Sequence, residues 1–288
     1  MDADRHGRGT GVRLVSHING DGDLLRAWLD YYLRLGITSF HVIAHGERAE
    51  NETLFALQAS YPIVIEDAYH GEFLSEEKRR RIAALLRRLR GQWVVLVDSD
   101  EFIELPCTSL SATIKVMTVL GANALCAPMV QRVNRDGSLD SPSTVEDPFG
   151  TFPLCSVDLY QRMGVKAGIS KFPLFRCGDH TALREGGNHY PPNGDRTVVP
   201  RFFQGVTHHF KWRRTVAERL ARRAASGHSF RHESAGFQAY LEAHDYRLPI
   251  DGAFPCSRHE LVRRGLLRTI TPTSLAYQLR RRAERWLS

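Results

Sequence analysis

The sequence has no window with the roughly 18 to 20 uninterrupted apolar residues that a membrane-spanning helix needs. Met1-Asp2-Ala3-Asp4-Arg5-His6-Gly7 also lacks the apolar centre of a secretion signal, so a cytoplasmic protein is expected. Cysteine is scarce: Cys107, Cys126, Cys155, Cys177 and Cys256 are odd in number, scattered, and include no Cys-x-x-Cys pair. That supports neither a disulfide framework nor a structural zinc site, and reduced, mostly buried thiols are expected. No Gly-x-Gly-x-x-Gly or Gly-x-x-x-x-Gly-Lys loop follows the first strand, since Gly20-Asp21-Gly22 is too short to be one. Nor are there the aromatic strings or Cys/His pairs of known nucleic-acid modules, so no nucleic-acid partner is expected.

What is present is ordinary globular material. The 288 residues are 42% hydrophobic and 25% charged, enough for a sizeable core and one large domain with an appendage. The net charge of +7 is unevenly placed. Residues 201–288 carry about +10 and the remainder about −3, which points the C-terminal part toward an anionic partner or a solvated helix face.

Residues 1–11, rich in Gly, His and charge, read as disordered. Arg13–Ile18 reads as a strand, with the turn Asn19-Gly20-Asp21-Gly22-Asp23 capping a helix whose apolar positions run from Leu24 to Gly36. Strands follow at Phe40–Ala44 and Pro62–Glu66, with helices at Glu50–Ser60 and from Ser75, then the strand before Asp98. This alternation predicts an α/β fold, a mostly parallel Rossmann-type sheet flanked by helices, with ligands at the carboxyl ends of its strands. Ser109–Val119 is a further helix, and Ala124–Arg132 and Lys171–Arg176 are short strands separated by loops suited to acceptor recognition. Residues 212–226, 258–268 and 274–287 read as basic helices. The last is amphipathic and suits packing on the parent domain or a peripheral membrane contact at the inner membrane face.

The most informative stretch is Val94-Val95-Leu96-Val97 running into Asp98-Ser99-Asp100-Glu101-Phe102. Strand alternation puts Asp98 and Asp100 on one face, where two carboxylates repel unless a cation or donors lie between them. The arrangement invites a hard divalent metal with positions open to phosphate oxygens. The competing reading is a helix cap at Ser99 or Asp100.

Trp28-Leu29-Asp30-Tyr31-Tyr32-Leu33-Arg34-Leu35-Gly36, then Trp93 to Phe102, then His208-His209-Phe210 resemble the family-2-like glycosyltransferases of GT-A fold. The resemblance is specifically to the bacterial subgroup reading Trp-Val-x-x-x-Asp-x-Asp-Glu-Phe. It covers about residues 12–215 and implies a GT-A-like catalytic domain over 12–210, with a basic helical extension over 211–288 packed on it. Departures are Asn19-Gly20-Asp21 in place of Asn-Glu, so that Asp21 stands in for the Glu, and Ala44-His45-Gly46-Glu47 in place of Asp-Asn-x-Ser.

The resemblance implies a metal-dependent transferase that moves a sugar from a UDP- or GDP-type donor to a small-molecule or glycan hydroxyl, with inversion. It implies that Asp98, Asp100 and His209 hold Mn²⁺ or Mg²⁺, an imidazole favouring Mn²⁺. His17, Asn19, Asp67 and Asp98 are implied to bind the donor. Adjacent strand residues face opposite ways, so only one of His208 and His209 is expected at the metal. Lys78 and Arg81 are placed to touch phosphate or to face solvent. For the acceptor's general base the candidates are Glu185, His189 and Asp147, with Glu185 or His189 favoured because Gly186–Tyr190 resembles the family's late segment, with Lys171 its earlier member. The alternatives are a sugar nucleotidyltransferase, which would show a glycine-rich basic loop after the first strand, and a basic RNA- or membrane-binding protein on a degenerate transferase domain.

Overall fold

The computed structural model describes residues 11–141, 147–165, 170–179, 181–184, 188–193, 197–227 and 229–268. The expected helix 274–287 lies outside them, as do residues 1–10 of the expected disordered start and Glu185.

The N-terminal half is a strand–helix alternation: β1 (Val12–Ile18), α1 (Gly22–Leu35), β2 (Ile37–His45), α2 (Glu52–Leu57), β3 (Ile63–Tyr69), α3 (Ser75–Arg88) and β4 (Trp93–Leu96). These four strands pair in parallel in the order β3-β2-β1-β4. Beyond β4 the sheet continues with antiparallel partners, β8 (Ser170–Arg176), β6 (Ala124–Val133), β7 (Leu154–Ser156) and β10 (Phe254–Pro255). A side ladder pairs β5 (Glu101–Glu104) with β9 (Val206–His209), which also runs parallel to β6. The α/β class and the parallel, helix-flanked sheet are as the sequence leads one to expect.

Helix α1 shows how local sequence positions the site. Leu24, Leu25, Trp28, Leu29 and Tyr32 recur at helical spacing and are buried. Gly36, at φ 102°, closes the helix with its N–H on Leu33 and Tyr32 carbonyls, a conformation that favours glycine. The buried stripe carries polar tips: Trp28 Nε1 donates to the Glu101 carbonyl at 3.2 Å, and the Tyr31 hydroxyl donates to the Ile103 carbonyl at 2.7 Å. Tyr32 donates to Glu101 O at 3.0 Å and accepts from Ile103 N at 3.2 Å. One helix face thereby satisfies a β5 edge that would otherwise be left with bare backbone groups.

Helices α4 (Leu110–Val119), α5 (Pro148–Thr151), α6 (Leu159–Arg162), α7 (Val216–Ala225), α8 (Arg231–Ala243) and α9 (Arg258–Arg263) complete the described chain. α7 and α8 share an apolar cluster with Val133, Leu159, Met163 and Trp212. Three sequence expectations are corrected. The basic helix expected over 212–226 begins at Val216, and that expected over 258–268 ends at Arg263. Strand β4 ends at Leu96, with one further bond from Val97 N to Val15 O at 3.3 Å, and a turn at Ser99–Asp100 intervenes before β5, a strand the sequence reading did not separate.

Candidate active site

The carboxyl ends of β1 and β4, the β3–α3 connection and α7 enclose a crevice of about 940 Å³. This is the edge of a parallel sheet where ligands are expected. His17, Asn19, Asp21, Lys78, Asp98, Asp100, Lys171, His189 and His209 line it.

At the β1 end, buried His17 sets Nε2 2.8 Å from the Tyr69 hydroxyl, its ring among His45 and Phe73. Burial, and next the Lys78 charge, push its pKa down to about 3, so the ring is neutral near pH 7. Asn19 donates from Nδ2 to the His45 carbonyl at 2.9 Å. Asp21 turns the chain in the left-handed region, φ 59°, which Asp tolerates better than most residues. It accepts from Ser99 Oγ at 2.7 Å and pairs with Arg219 at 2.6 Å and with Arg213. Arg213, with no exposed side-chain surface, also reaches Asp23 at 2.9 Å. The segment after β9 is thus tied by buried charge to the first βα turn.

The two central aspartates have different surroundings. Asp98 receives Lys78 Nζ at 2.7 Å, with Lys171 Nζ at 3.9 Å. Burial raises its carboxyl, but Lys78 and then Lys171 outweigh that and hold it well below the usual carboxylate range. Lys171 is itself buried against Glu101 at 2.7 Å and donates to Asn188 Oδ1 at 3.0 Å, while Asn188 Nδ2 ties back to the Leu96 carbonyl. Burial lowers the Lys171 ammonium, and Glu101 and Asp98 more than restore it.

Asp100 lines the same crevice but has a different partner, its Oδ2 lying 3.4 Å from His209 Nε2. Burial again pushes the carboxyl up, while His209, and then Arg213 and Arg219, bring it well below the ordinary value. His209 Nδ1 lies 3.0 Å from Gln131 Oε1 and 3.3 Å from the Tyr160 hydroxyl. In the tautomer that donates Nδ1–H to the Gln131 oxygen, the Nε2 lone pair is left facing the crevice beside Asp100. An orienting partner on the far nitrogen is usual for a metal-binding histidine.

His208 points to the opposite side, toward Glu104 at 3.2 Å and Cys256 at 3.8 Å. His209 is therefore the member of the pair that reaches the crevice. Among the described residues no three His, Cys, Asp or Glu side chains form a metal-holding group by themselves. The donor set that fits an ion is the two-residue pair Asp100 and His209, which leaves its remaining positions to ligand oxygens and water.

Other expected residues fare differently. Asp67 does not line the crevice; its carboxylate is taken by Arg81, whose guanidinium covers the Tyr69 ring at 3.9 Å. Asp147 is also outside, capping α5 by accepting from Phe149 N at 3.0 Å. His189 is in the wall, its Nδ1 on the Ser170 carbonyl at 2.9 Å. Burial, then Lys171, push its pKa down to about 3, which suits a neutral hydrogen-bond acceptor at Nε2 better than a proton acceptor.

The sequence reading missed Gln131, Tyr160, Asn188, Arg213, Arg219 and Arg223. Gln131 carried no local signal, because its role depends on β6 lying beside β9. Arg219 and Arg223 had one: they lie three and seven residues after the buried Val216, on the same helix face as Leu220.

No protein-family model matches the sequence, and no curated protein is similar to it. Among solved structures it is similar to S. aureus TarS, at 11% identity over 81% of this chain and 43% of that one, with a TM-score of 0.37. TarS residues 1–349 in complex with UDP give 11% identity over 81% and 71%, TM-score 0.39. A nucleotide-diphospho-sugar transferase from Desulfovibrio desulfuricans G20, described as putative, gives 15% over 81% and 95%, TM-score 0.32. This chain thus spans less than half of the full TarS chain. Likenesses of this size decide nothing about the reaction, which has to be argued from the crevice.

Proposed function

We propose that the protein is a glycosyltransferase that moves a sugar from a nucleotide-diphosphate donor, of UDP or GDP type, to a hydroxyl of a small molecule or glycan, with inversion. The observation that carries the reading is the Asp100–His209 pair, 3.4 Å apart, with the far histidine nitrogen on Gln131. Mn²⁺ or Mg²⁺ held there would supply positive charge against the departing diphosphate, the charge that most hinders breaking the anomeric bond.

The chain's own groups do the rest. Asp98, kept ionised by Lys78 and Lys171, is an acceptor for ribose hydroxyls. His17 and Asn19 hold the base at the β1 end. Glu185 takes the proton of the acceptor hydroxyl, and neutral His189, in the crevice wall, helps to orient the acceptor. The basic segment 211–268 is part of the same crevice through Arg219 and Arg223, which supports a donor-binding role for it. Among the described residues no helix is long and apolar enough to cross a membrane.

Incubation with a panel of UDP, GDP and dTDP sugars, Mn²⁺ and candidate hydroxyl acceptors tests the reading. Glycosyl transfer releases a nucleoside diphosphate. Release of pyrophosphate from a nucleoside triphosphate and a sugar phosphate would instead mark a nucleotidyltransferase.

A further inference from the structure

Helix α7 closes the crevice opposite the aspartates, with Val216 and Leu220 buried and Arg219 and Arg223 turned inward beside them. Arg219 is answered by Asp21 at 2.6 Å, and Arg222, one position before Arg223, by Glu50 at 2.8 Å. Among the described residues the Arg223 guanidinium has no hydrogen-bond or ion-pair partner, although the residue is half-buried. Burial, and then the neighbouring Arg219 charge, disfavour its cation; Asp100, Asp21 and Glu233 favour it only from a distance. An unanswered guanidinium beside a like charge, drawn out of water, destabilises the protein alone. Its planar fork is shaped to grip two oxygens of a phosphate or carboxylate.

We infer that Arg223 is the receptor for a phosphate-type dianion entering the crevice above Asp100, and that α7 is therefore a wall of the binding site. The inference deepens the glycosyltransferase reading and rests on it only for the source of the anion: the donor's diphosphate, or a phosphate carried by the acceptor. It does not require a metal or turnover.

The test compares wild type, Arg223→Gln, Arg223→Lys and the control Arg222→Gln, by calorimetric titration and thermal melting in EDTA and again in Mn²⁺. Probes are uridine, UDP, inorganic pyrophosphate, and inorganic phosphate at saturating UDP. Arg223→Gln is expected to melt no lower than wild type without ligand and to bind uridine unchanged. It is expected to lose about 10- to 100-fold in affinity for UDP and pyrophosphate, the scale of hydrogen bonds to charged groups. Lys is expected to recover part of the loss, and Arg222→Gln to show little. A loss confined to phosphate at saturating UDP would assign the anion to the acceptor. Unchanged affinity for all three anions would overturn the inference, as would a lower melting temperature with no change in binding. Should the sugar panel show no transfer while the Arg223 effect stands, the glycosyltransferase reading fails and the anion site survives.

Discussion

His209 Nε2 sits 3.4 Å from Asp100 Oδ2 while its Nδ1 rests 3.0 Å from Gln131 Oε1, a line that runs from the crevice into buried β6. If Gln131 fixes the ring so that Nε2 is bare, Gln131→Leu should weaken Mn²⁺ binding in the presence of UDP by about 10- to 100-fold. Far-UV circular dichroism should be unchanged. Titration of Mn²⁺ into the UDP-saturated variant measures it, and an unaltered affinity would remove Gln131 from the site.

Asp100→Asn should cut sugar transfer by about 10²- to 10³-fold or more, the scale of losing one charge-stabilising group in an active site. The fold should persist, because the Asp100 carbonyl still accepts from Phe210 N at 2.8 Å. Steady-state kinetics beside a thermal melt separates the two. Full activity, or failure to fold, would contradict the assigned role.

Much of this architecture is legible in the amino-acid sequence itself. The positions of β1, α1, β3, α3 and β4 follow from short β-branched runs and from one apolar stripe per helix, strong local signals. The Asp98-Ser99-Asp100-Glu101 junction follows from the same strand. Harder to read is anything that depends on distant pairing. β5 and β9 are four residues each, and neither outlasts a turn in the sequence. Asp67 has the local character of a site residue, and only the packing of α3 beside β3 reveals the arginine that claims it. The division between Asp98, held by lysines, and Asp100, facing a histidine, arises from Lys78 and Lys171 arriving on separate elements.

Arg213 tests the buried network. Its guanidinium is fully enclosed and answers Asp21 and Asp23. Arg213→Met should leave both carboxylates short of a partner and lower stability by about 3–5 kcal/mol. Urea unfolding measures this; a change within experimental error would mean that Arg219 alone suffices for Asp21.

Two histidines give the protein a pH signature. His17 and His189 are each pushed down to about 3, by burial first and by a neighbouring lysine next. Unfolded histidine binds its proton near 6.5, so between about pH 6.5 and 3 the unfolded chain holds more protons and stability falls with pH. The stability is complete above about pH 6.5, and each histidine removes about 1.4 kcal/mol per pH unit below it. The depressed carboxyls of Asp98 and Asp100 act in the same direction but only below about pH 4. His17→Gln should therefore shrink the stability difference between pH 7 and pH 5.5 by about 1.4 kcal/mol, read from urea melts at the two pH values. An undiminished difference would mean that His17 takes up its proton without opening the site.

The central proposition is that Asp100 and His209 hold a divalent ion which a nucleotide diphosphate completes. The direct measurement is thermal melting of wild type and Asp100→Asn with UDP and GDP, in Mn²⁺ and in EDTA. Wild type should gain about 5–10 °C with the preferred nucleotide at about 100 times its Kd, and clearly more in Mn²⁺ than in EDTA. Asp100→Asn should lose the metal-dependent part. Equal shifts in Mn²⁺ and EDTA, or an Asp100→Asn protein that responds to Mn²⁺ as wild type does, would contradict the account.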